Sequence, residues 1–418
     1  MKEPLKSAAA EKPVPLVRAL RVLLAICLAE LAIIVLLLVS NRMVTDSSLR
    51  PPPPARTAGG QEPYYRGRPG PWGQLEFVRI AVEPSDAFVA VEGRSFERTR
   101  WYFPQHSPES LTAFFHTCGL TPAQQAAGLD AGAWTRETNA VVVFPDASLI
   151  LGLSAASRAR IYSELATSPQ NDFQAWPFTF RNGGFDDWFR GSGLRPETLA
   201  LVRQLSYTRG PALCFSDLPE VFHRLATTAE RRRLLKTLSR NSTLLAKLHV
   251  APDSDIAALT EYWSRAGRAK DIKPLLESLA QVPGGARIDL AHLIPPFARK
   301  RLNTFPNPQA RPVADCFWTA LNFFNDPPDD RYADPAVWQA ELASQFMPAT
   351  QGQLGDIVLL LSPEEVPVHA AVYIADDVVF TKNGGSERQP WLLMDWQDVV
   401  ARYPSNQALR TLILRRKE

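Results

Sequence analysis

An apolar segment near the N-terminus limits what this chain can fold into more than any other feature. Residues 22–39 are 18 consecutive positions in which Glu30 is the only charge. About 20 apolar residues span a bilayer as a helix, so the segment is just long enough. The basic residues that precede it are Lys2, Lys6, Lys12, Arg18 and Arg21. Because basic flanks stay in the cytoplasm, we predict a cytoplasmic tail at 1–21 and a transmembrane anchor at 22–40. The rest of the chain would then lie on the outer side of the cytoplasmic membrane.

A cleaved signal peptide is the alternative interpretation of this segment. It would need a shorter apolar core and a small-x-small cleavage site, and residues 37–42 offer no such site. Residues 41–74 follow, with four consecutive prolines at 51–54 and several glycines. This composition is typical of a linker that is stiff where the prolines adjoin and otherwise flexible.

The middle of the chain, residues 75–300, is predicted to be a mainly helical domain of unknown role. Ser107-Pro108 and Thr121-Pro122 favour helix starts, since serine and threonine cap helices and proline suits the first turn. Strands are predicted at 77–83, 87–92 and 141–144, and further helices at 154–166, 195–206, 217–238, 254–267 and 271–281. No motif here carries a known chemistry, and binding of a protein partner is the role we consider.

Charge and cysteine content exclude several classes of function. A net charge of +3 is too small to indicate a nucleic-acid partner, and no arginine stripe with interleaved aromatics occurs. No cluster of His, Cys, Asp and Glu has metal-ligand spacing, so we predict neither a metal nor a cofactor. Cys118 and Cys214 could form a disulfide in an exported domain or remain separate buried thiols, and the sequence leaves both open.

The C-terminal part, residues 301–418, contains a cysteine and a histidine in a suggestive pattern. Cys316 begins an apolar run that predicts a helix, and His369 lies in an apolar run that predicts a strand. A helix N-terminus and a protonated imidazole both lower the pKa of a thiol, and the thiolate is the nucleophile. The predicted elements are helices at 316–325 and 334–345 and strands at 356–361, 368–374, 378–383 and 410–415. This order predicts an α+β unit with an antiparallel sheet.

Three blocks of this unit resemble the NlpC/P60 family of papain-like cysteine peptidases. The blocks are Asp315-Cys316, Gly355-Asp356 followed by an apolar strand, and His369 followed by a strand that contains Tyr373. The resemblance covers roughly 100 residues. It implies a papain-like fold and a cysteine hydrolase that cleaves amide bonds in bacterial cell-wall stem peptides, often beside D-glutamate and diaminopimelate. Two departures from the family pattern are Phe317-Trp318 after the cysteine and Val368 before the histidine.

A third polar residue orients the imidazole in such sites, and strand pairing selects a candidate. If residues 375–377 form the loop, His369 lies opposite Asn383, and the apolar and polar faces of the two strands separate cleanly. Asn383 is therefore the first choice and Thr381 the second, whereas a shorter loop would place Lys382 there. Cys316 would attack the carbonyl and His369 would protonate the leaving amine.

Two other functions remain open at this point. The C-terminal unit can be a non-catalytic scaffold in an envelope protein whose middle domain binds a partner, an interpretation that the bulky Phe317-Trp318 pair favours. The same cysteine and histidine could also serve an acyltransferase or amidase that acts on lipid or protein. Cys316 itself could be an inert core thiol, as most cysteines in apolar helices are.

Overall fold

A computed structural model describes residues 65–89, 91, 99–130, 132–137 and 139–417 of the 418-residue chain. The predicted cytoplasmic tail, the predicted anchor at 22–40 and most of the predicted linker lie outside these residues. Within the described part, no helix combines the length and the apolar character needed to cross a bilayer.

The described strands form four antiparallel sheets. In chain order the strands are β1 (Tyr65–Arg66), β2 (Gln74–Val82), β3 (Trp101–Pro104), β4 (Trp134–Glu137), β5 (Ala140–Val143), β6 (Phe178–Arg181), β7 (Tyr207–Arg209), β8 (Ala212–Phe215), β9 (Asn241–Val250), β10 (Ala286–Asp289), β11 (Phe346–Ala349), β12 (Ile357–Leu361), β13 (Pro367–Ala375), β14 (Val378–Lys382), β15 (Trp391–Asp395) and β16 (Arg410–Arg416). The sheet orders are β1-β2-β9-β10, β3-β5-β4, β6-β8-β7 and β11-β16-β12-β13-β14-β15.

The helices are short and mostly capped by serine, threonine or aspartate, as the sequence pattern favours. In chain order they are α1 (Pro108–Thr117), α2 (Pro122–Leu129), α3 (Ala147–Gly152), α4 (Ala155–Leu165), α5 (Asp172–Ala175), α6 (Phe185–Phe189), α7 (Pro196–Leu205), α8 (Leu218–Phe222), α9 (Thr228–Leu238), α10 (Ile256–Trp263), α11 (Ala269–Ala280), α12 (Pro296–Arg301), α13 (Cys316–Leu321), α14 (Pro335–Gln345) and α15 (Trp396–Val400). Three short 3-10 turns occupy Asp86–Phe88, Leu290–His292 and Asp330–Ala333.

Two separate apolar cores divide the chain in an order that the sequence did not suggest. One core combines residues from 75–77 and 244–298 with residues from 316–414, so β2, β9 and α10–α12 pack with the C-terminal sheet. The second core lies within 89–238. We call residues 89–238 the inserted unit, since the chain leaves the first core after β2 and re-enters it at β9. The remaining described residues form the main unit.

The predicted fold class was wrong. The described residues are α+β throughout, and 75–300 is not a mainly helical domain, because three of the four sheets lie within it or at its edge. The strands of the inserted unit are three or four residues long; the sequence predicted β5, whereas β8, buried at all but one position, was missed. Such strands show no alternation that would separate them from buried helical turns. The ten-residue β9 does alternate over most of its length, a period of two that the helical interpretation overlooked. The described residues also contain no membrane-spanning helix.

Candidate active site

Cys316 begins helix α13, as the sequence predicted. The side chain of Asp315 accepts a hydrogen bond from the backbone N–H of Trp318, 2.8 Å away, which satisfies a free donor at the start of the helix. All six residues of α13 are buried, so the helix is held by packing on both sides. The thiol therefore lies inside the molecule and not at the wall of an open cleft.

The surroundings of the Cys316 thiol disfavour the thiolate. The residue is 5% exposed, and burial raises the pKa of the thiol to about 12, with the Asp315 carboxylate acting in the same direction. The backbone N–H of Ala370 opposes this shift, as do those of Phe317 and Cys316 itself. Desolvation has the larger effect on the pKa, because a thiolate that leaves water loses more solvation free energy than a few N–H groups restore. The thiol is protonated at neutral pH.

His369 is buried on β13 and both of its ring nitrogens are engaged. Nε2 lies 2.9 Å from Thr381 Oγ1, and Nδ1 lies 2.6 Å from the hydroxyl of Tyr403. Burial lowers the pKa of the imidazole to about 3 and raises that of Tyr403 well above its usual value. Tyr403 therefore keeps its proton and can donate it to Nδ1, while Nε2–H donates to Thr381. The ring is neutral and fully hydrogen-bonded. We call His369, Thr381 and Tyr403 the histidine cluster.

Cys316 and His369 belong to different packed layers. Cys316 lies in the core that contains Ala370, whereas Tyr403 packs against the apolar layer that contains Ala371. Side chains alternate along a strand, so His369 shares the face of Ala371 and not that of Ala370. The hydrogen bonds of the imidazole go to Thr381 and Tyr403, and none joins it to the thiol. The structure brings the thiol next to the histidine strand without pairing the two reactive groups.

The register that selected Asn383 is present, but the contact is not. Val372 pairs with Phe380 and Tyr373 with Val379, the register expected from the two-face pattern. The predicted loop at 375–377 was wrong, because Ala375 pairs with Val378 and the loop is only 376–377; a register shift between Tyr373 and Ala375 restores the expected pairing. Asn383 lies just beyond the end of β14, where its Nδ2 donates to the sulfur of Met394, 3.3 Å away. Its Oδ1 is buried without a partner. The second choice, Thr381, is the residue that binds the imidazole.

Lys382 points to the other face of β14. Its Nζ donates to the carbonyl oxygens of Gly384 and Ser386, at 2.6 and 3.0 Å. Burial lowers the pKa of this amine to about 8. The lysine therefore stabilises the loop that follows β14 and does not reach the imidazole.

The Gly355-Asp356 block positions a strand. Asp356 is buried and forms ion pairs with Arg415 at 2.7 Å and Arg265 at 3.3 Å. Gly355 has a φ of +90°, and a Cβ added there would lie 2.3 Å from the ring of Phe324. Only glycine suits this turn before β12. The block aligns the sheet and takes no part in a reactive constellation.

Tyr403 is the site residue that the sequence analysis missed. It lies after α15, 34 positions from His369, in a stretch without a recognisable motif. The contact exists because the fold returns this stretch to the sheet, and a single sequence carries no signal of that return.

Other groups do not add a site beside Cys316. A cavity of about 590 Å³ is lined by Phe324–Asp329, Tyr332 and Arg416. A second cavity, of about 330 Å³, lies between β9 and α12. Neither cavity is lined by Cys316 or His369. Cys118 and Cys214 are buried free thiols. Across the described ranges, no three His, Cys, Asp or Glu side chains are grouped to hold a metal ion.

No protein-family model, curated protein or solved structure matches this chain. The interpretation of its site therefore depends on the geometry described above.

Proposed function

We propose that this protein is a non-catalytic binding protein whose C-terminal part uses an NlpC/P60-like, papain-like scaffold. The observation that supports the proposal is the separate burial of Cys316 and His369. A cysteine hydrolase needs a thiolate next to an imidazole that can accept and return a proton. Here the pKa of the thiol is about 12 and that of the imidazole about 3, so at neutral pH the thiol is protonated and the imidazole is too weak a base to remove its proton.

The inserted unit is the part to which we assign partner binding. Trp176, just after α5, is 81% exposed, and Pro177 and Phe178 beside it are half-buried. Exposed tryptophans are enriched among the residues that dominate binding energies at interfaces. In this proposal the protein recognises its partner through this unit, and cell-wall stem peptides are the first ligand to test because of the resemblance of the main unit.

The decisive experiment compares the wild type with Cys316→Ala on purified cell-wall sacculi and isolated stem peptides. We expect no product from either protein, as judged by mass analysis. Iodoacetamide at pH 7.5 should leave Cys316 unmodified in the folded protein and modify it in urea, with Cys118 and Cys214 as internal controls for buried thiols. Cleavage by the wild type that the alanine variant lacks would overturn the proposal.

The binding half of the proposal has its own test. Wild type and Trp176→Ala are sedimented with sacculi, and Trp72→Ala serves as a control outside the inserted unit. We expect the loss of Trp176 alone to reduce co-sedimentation. Equal sedimentation of all three proteins would remove the inserted unit from the binding role.

A second function, an amide hydrolase held in a closed state, is favoured by one specific observation. The backbone N–H of Ala370 points at the thiol, so Cys316 lies beside the residue that follows His369. Thr381 already occupies Nε2, the position of an orienting partner. Such an enzyme would first have to release Nδ1 from Tyr403. Stem-peptide cleavage by Tyr403→Ala that disappears in the Tyr403→Ala, Cys316→Ala double variant would support it.

A further inference from the structure

Residues 396–406, which we call the capping segment, cover the imidazole of His369. The segment comprises α15 and the turn after it, and it carries Tyr403. The Tyr403 hydroxyl lies 2.6 Å from Nδ1, and the two rings are 4.8 Å apart between centroids. The imidazole is fully buried. Access to His369 from this face therefore requires movement of the capping segment.

The inserted unit contacts the capping segment before Tyr403. Arg181 at the end of β6 donates to Gln397 Oε1 at 2.8 Å and to Asp398 Oδ1 at 3.4 Å. Arg402, the residue immediately before the tyrosine, donates to the carbonyl oxygen of Thr179 on the same strand, 3.4 Å away. Strand β6 thus holds this side of the tyrosine in place.

The inserted unit also contacts the capping segment after Tyr403. Asn406 Oδ1 accepts from Ser163 Oγ at 2.9 Å and from Arg209 Nε at 3.2 Å. The backbone approaches closely at Gly210, where an added Cβ would lie 2.3 Å from the carbonyl oxygen of Ser405. Contacts on both sides of one residue fix its position, because neither end of the turn can move alone.

The main unit holds the capping segment as well, by polar contacts near its start and by packing of Val399 and Tyr403 in the apolar layer that contains Ala371. The N–H of Trp396 donates to Asp377 O at 2.8 Å, and its indole N–H donates to Thr411 Oγ1 at 3.1 Å. Arg79 forms an ion pair with Asp398. The two chain connections between the units are joined by an ion pair between Arg240 and Glu83, 2.6 Å apart.

We infer that the inserted unit is a clamp that holds Tyr403 over His369, and that displacement of this unit exposes the histidine. A partner that binds the inserted unit at Trp176 could displace it in this way, since β6 begins two residues after Trp176 and ends at Arg181. Binding at one end of this strand would act on the contacts at its other end. The inference concerns access to a side chain, so it holds whether or not the exposed pair cleaves anything.

The test is the reactivity of His369 toward diethylpyrocarbonate, followed by peptide mapping. The wedge variant is Gly210→Ala, whose new methyl group meets Ser405. The matched control is Gly183→Ala, since Gly183 also has a positive φ, of 77° against 56°, and has nothing within 4 Å of an added Cβ. Exposed His223 and His292 in each protein serve as reference sites. We expect Gly210→Ala to increase the rate at His369 about 10-fold through local opening, with no change in Gly183→Ala.

Further variants keep the test decisive if Gly210→Ala does not fold. The double variant Arg181→Ala, Asn406→Ala removes polar contacts on both sides of Tyr403 and should expose His369 similarly. Tyr403→Phe keeps the cover and the clamp, so His369 should stay protected. The inference is wrong if the folded clamp variants leave His369 as unreactive as in the wild type, or if Tyr403→Phe exposes it as strongly as they do.

Discussion

Two buried polar clusters, one from each unit of the molecule, differ in charge. In the inserted unit, Arg158 and Asp217 form an ion pair with Nε and Oδ2 3.1 Å apart, and the Tyr162 hydroxyl donates to Asp217 Oδ1 at 2.5 Å. In the main unit, the histidine cluster has no net charge; His369 and Thr381 are fully buried and Tyr403 is partly buried. A buried charge depends on its partner far more than a buried neutral group does. The inserted unit should therefore be sensitive to loss of a partner, and the main unit to protonation.

The largest expected effect tests the charged cluster. Arg158→Met keeps the length of the side chain but leaves the Asp217 carboxylate buried without a cation, which should lower the free energy of unfolding by about 3–5 kcal/mol. Urea denaturation followed by circular dichroism measures the loss. The control is Arg160→Met on the same helix, whose exposed side chain donates a hydrogen bond to the carbonyl oxygen of Thr117. Equal losses of unfolding free energy in the two variants would mean that the buried ion pair stabilises the protein no more than the exposed contact of Arg160 does.

The second prediction concerns acid and the histidine cluster. The pKa of His369 falls from 6.5 to about 3 on folding, so below pH 6.5 the unfolded chain binds a proton that the folded chain refuses. Stability from this source is complete above pH 6.5 and is lost progressively as the pH falls toward 3. Each pH unit is worth about 1.4 kcal/mol, or about 2 kcal/mol between pH 7 and pH 5.

Urea denaturation at the two pH values measures this dependence. The His369→Gln variant should not show this acid-induced loss of stability. The His292→Gln variant, changed at an exposed position, should lose as much stability as the wild type. A pH dependence that is identical in wild type and His369→Gln would show that the imidazole takes up its proton while folded.

The third prediction separates the stability contributed by the hydrogen bond between Tyr403 and His369 from that contributed by burial of the histidine cluster. Tyr403→Phe leaves Nδ1 of His369 buried without a partner, which should lower the free energy of unfolding by about 1–2 kcal/mol. Tyr332→Phe, which removes a longer, partly buried contact of 3.3 Å to Glu341, should have a smaller effect. If the two variants are equally stable, water must reach the imidazole.

The smallest expected effect concerns Asn383. Its Oδ1 has no partner and its Nδ2 has only the Met394 sulfur, so Asn383→Ala should change the free energy of unfolding by less than about 0.5 kcal/mol. Thr381→Ala should cost about 1–3 kcal/mol because it deprives Nε2 of its partner. Thermal or urea denaturation ranks the two. The reverse ranking would identify Asn383 as the partner of the imidazole.

Many local features of the main unit were predictable from the sequence. Helix α13 begins at Cys316 because Asp315 caps it, and strands β12, β13, β14 and β16 lie within about one residue of their predicted positions. The pairing of β13 with β14 followed from the alternation of apolar and polar residues, since one register buries one clean face. The same argument brought His369 near Thr381 and Asn383, but it ranked Asn383 first, whereas Thr381 contacts the imidazole.

The sequence by itself determined where helices start, that a helix carries the cysteine block and a strand the histidine block, and how two neighbouring strands pair. These are short-range properties, set by capping groups, backbone preferences and alternation. Only the tertiary structure decided that β2 and β9 join the C-terminal core around an inserted unit, and that Tyr403 covers His369. It also decided the state of Cys316 and His369, because pKa values in a protein interior follow from burial by residues distant in sequence.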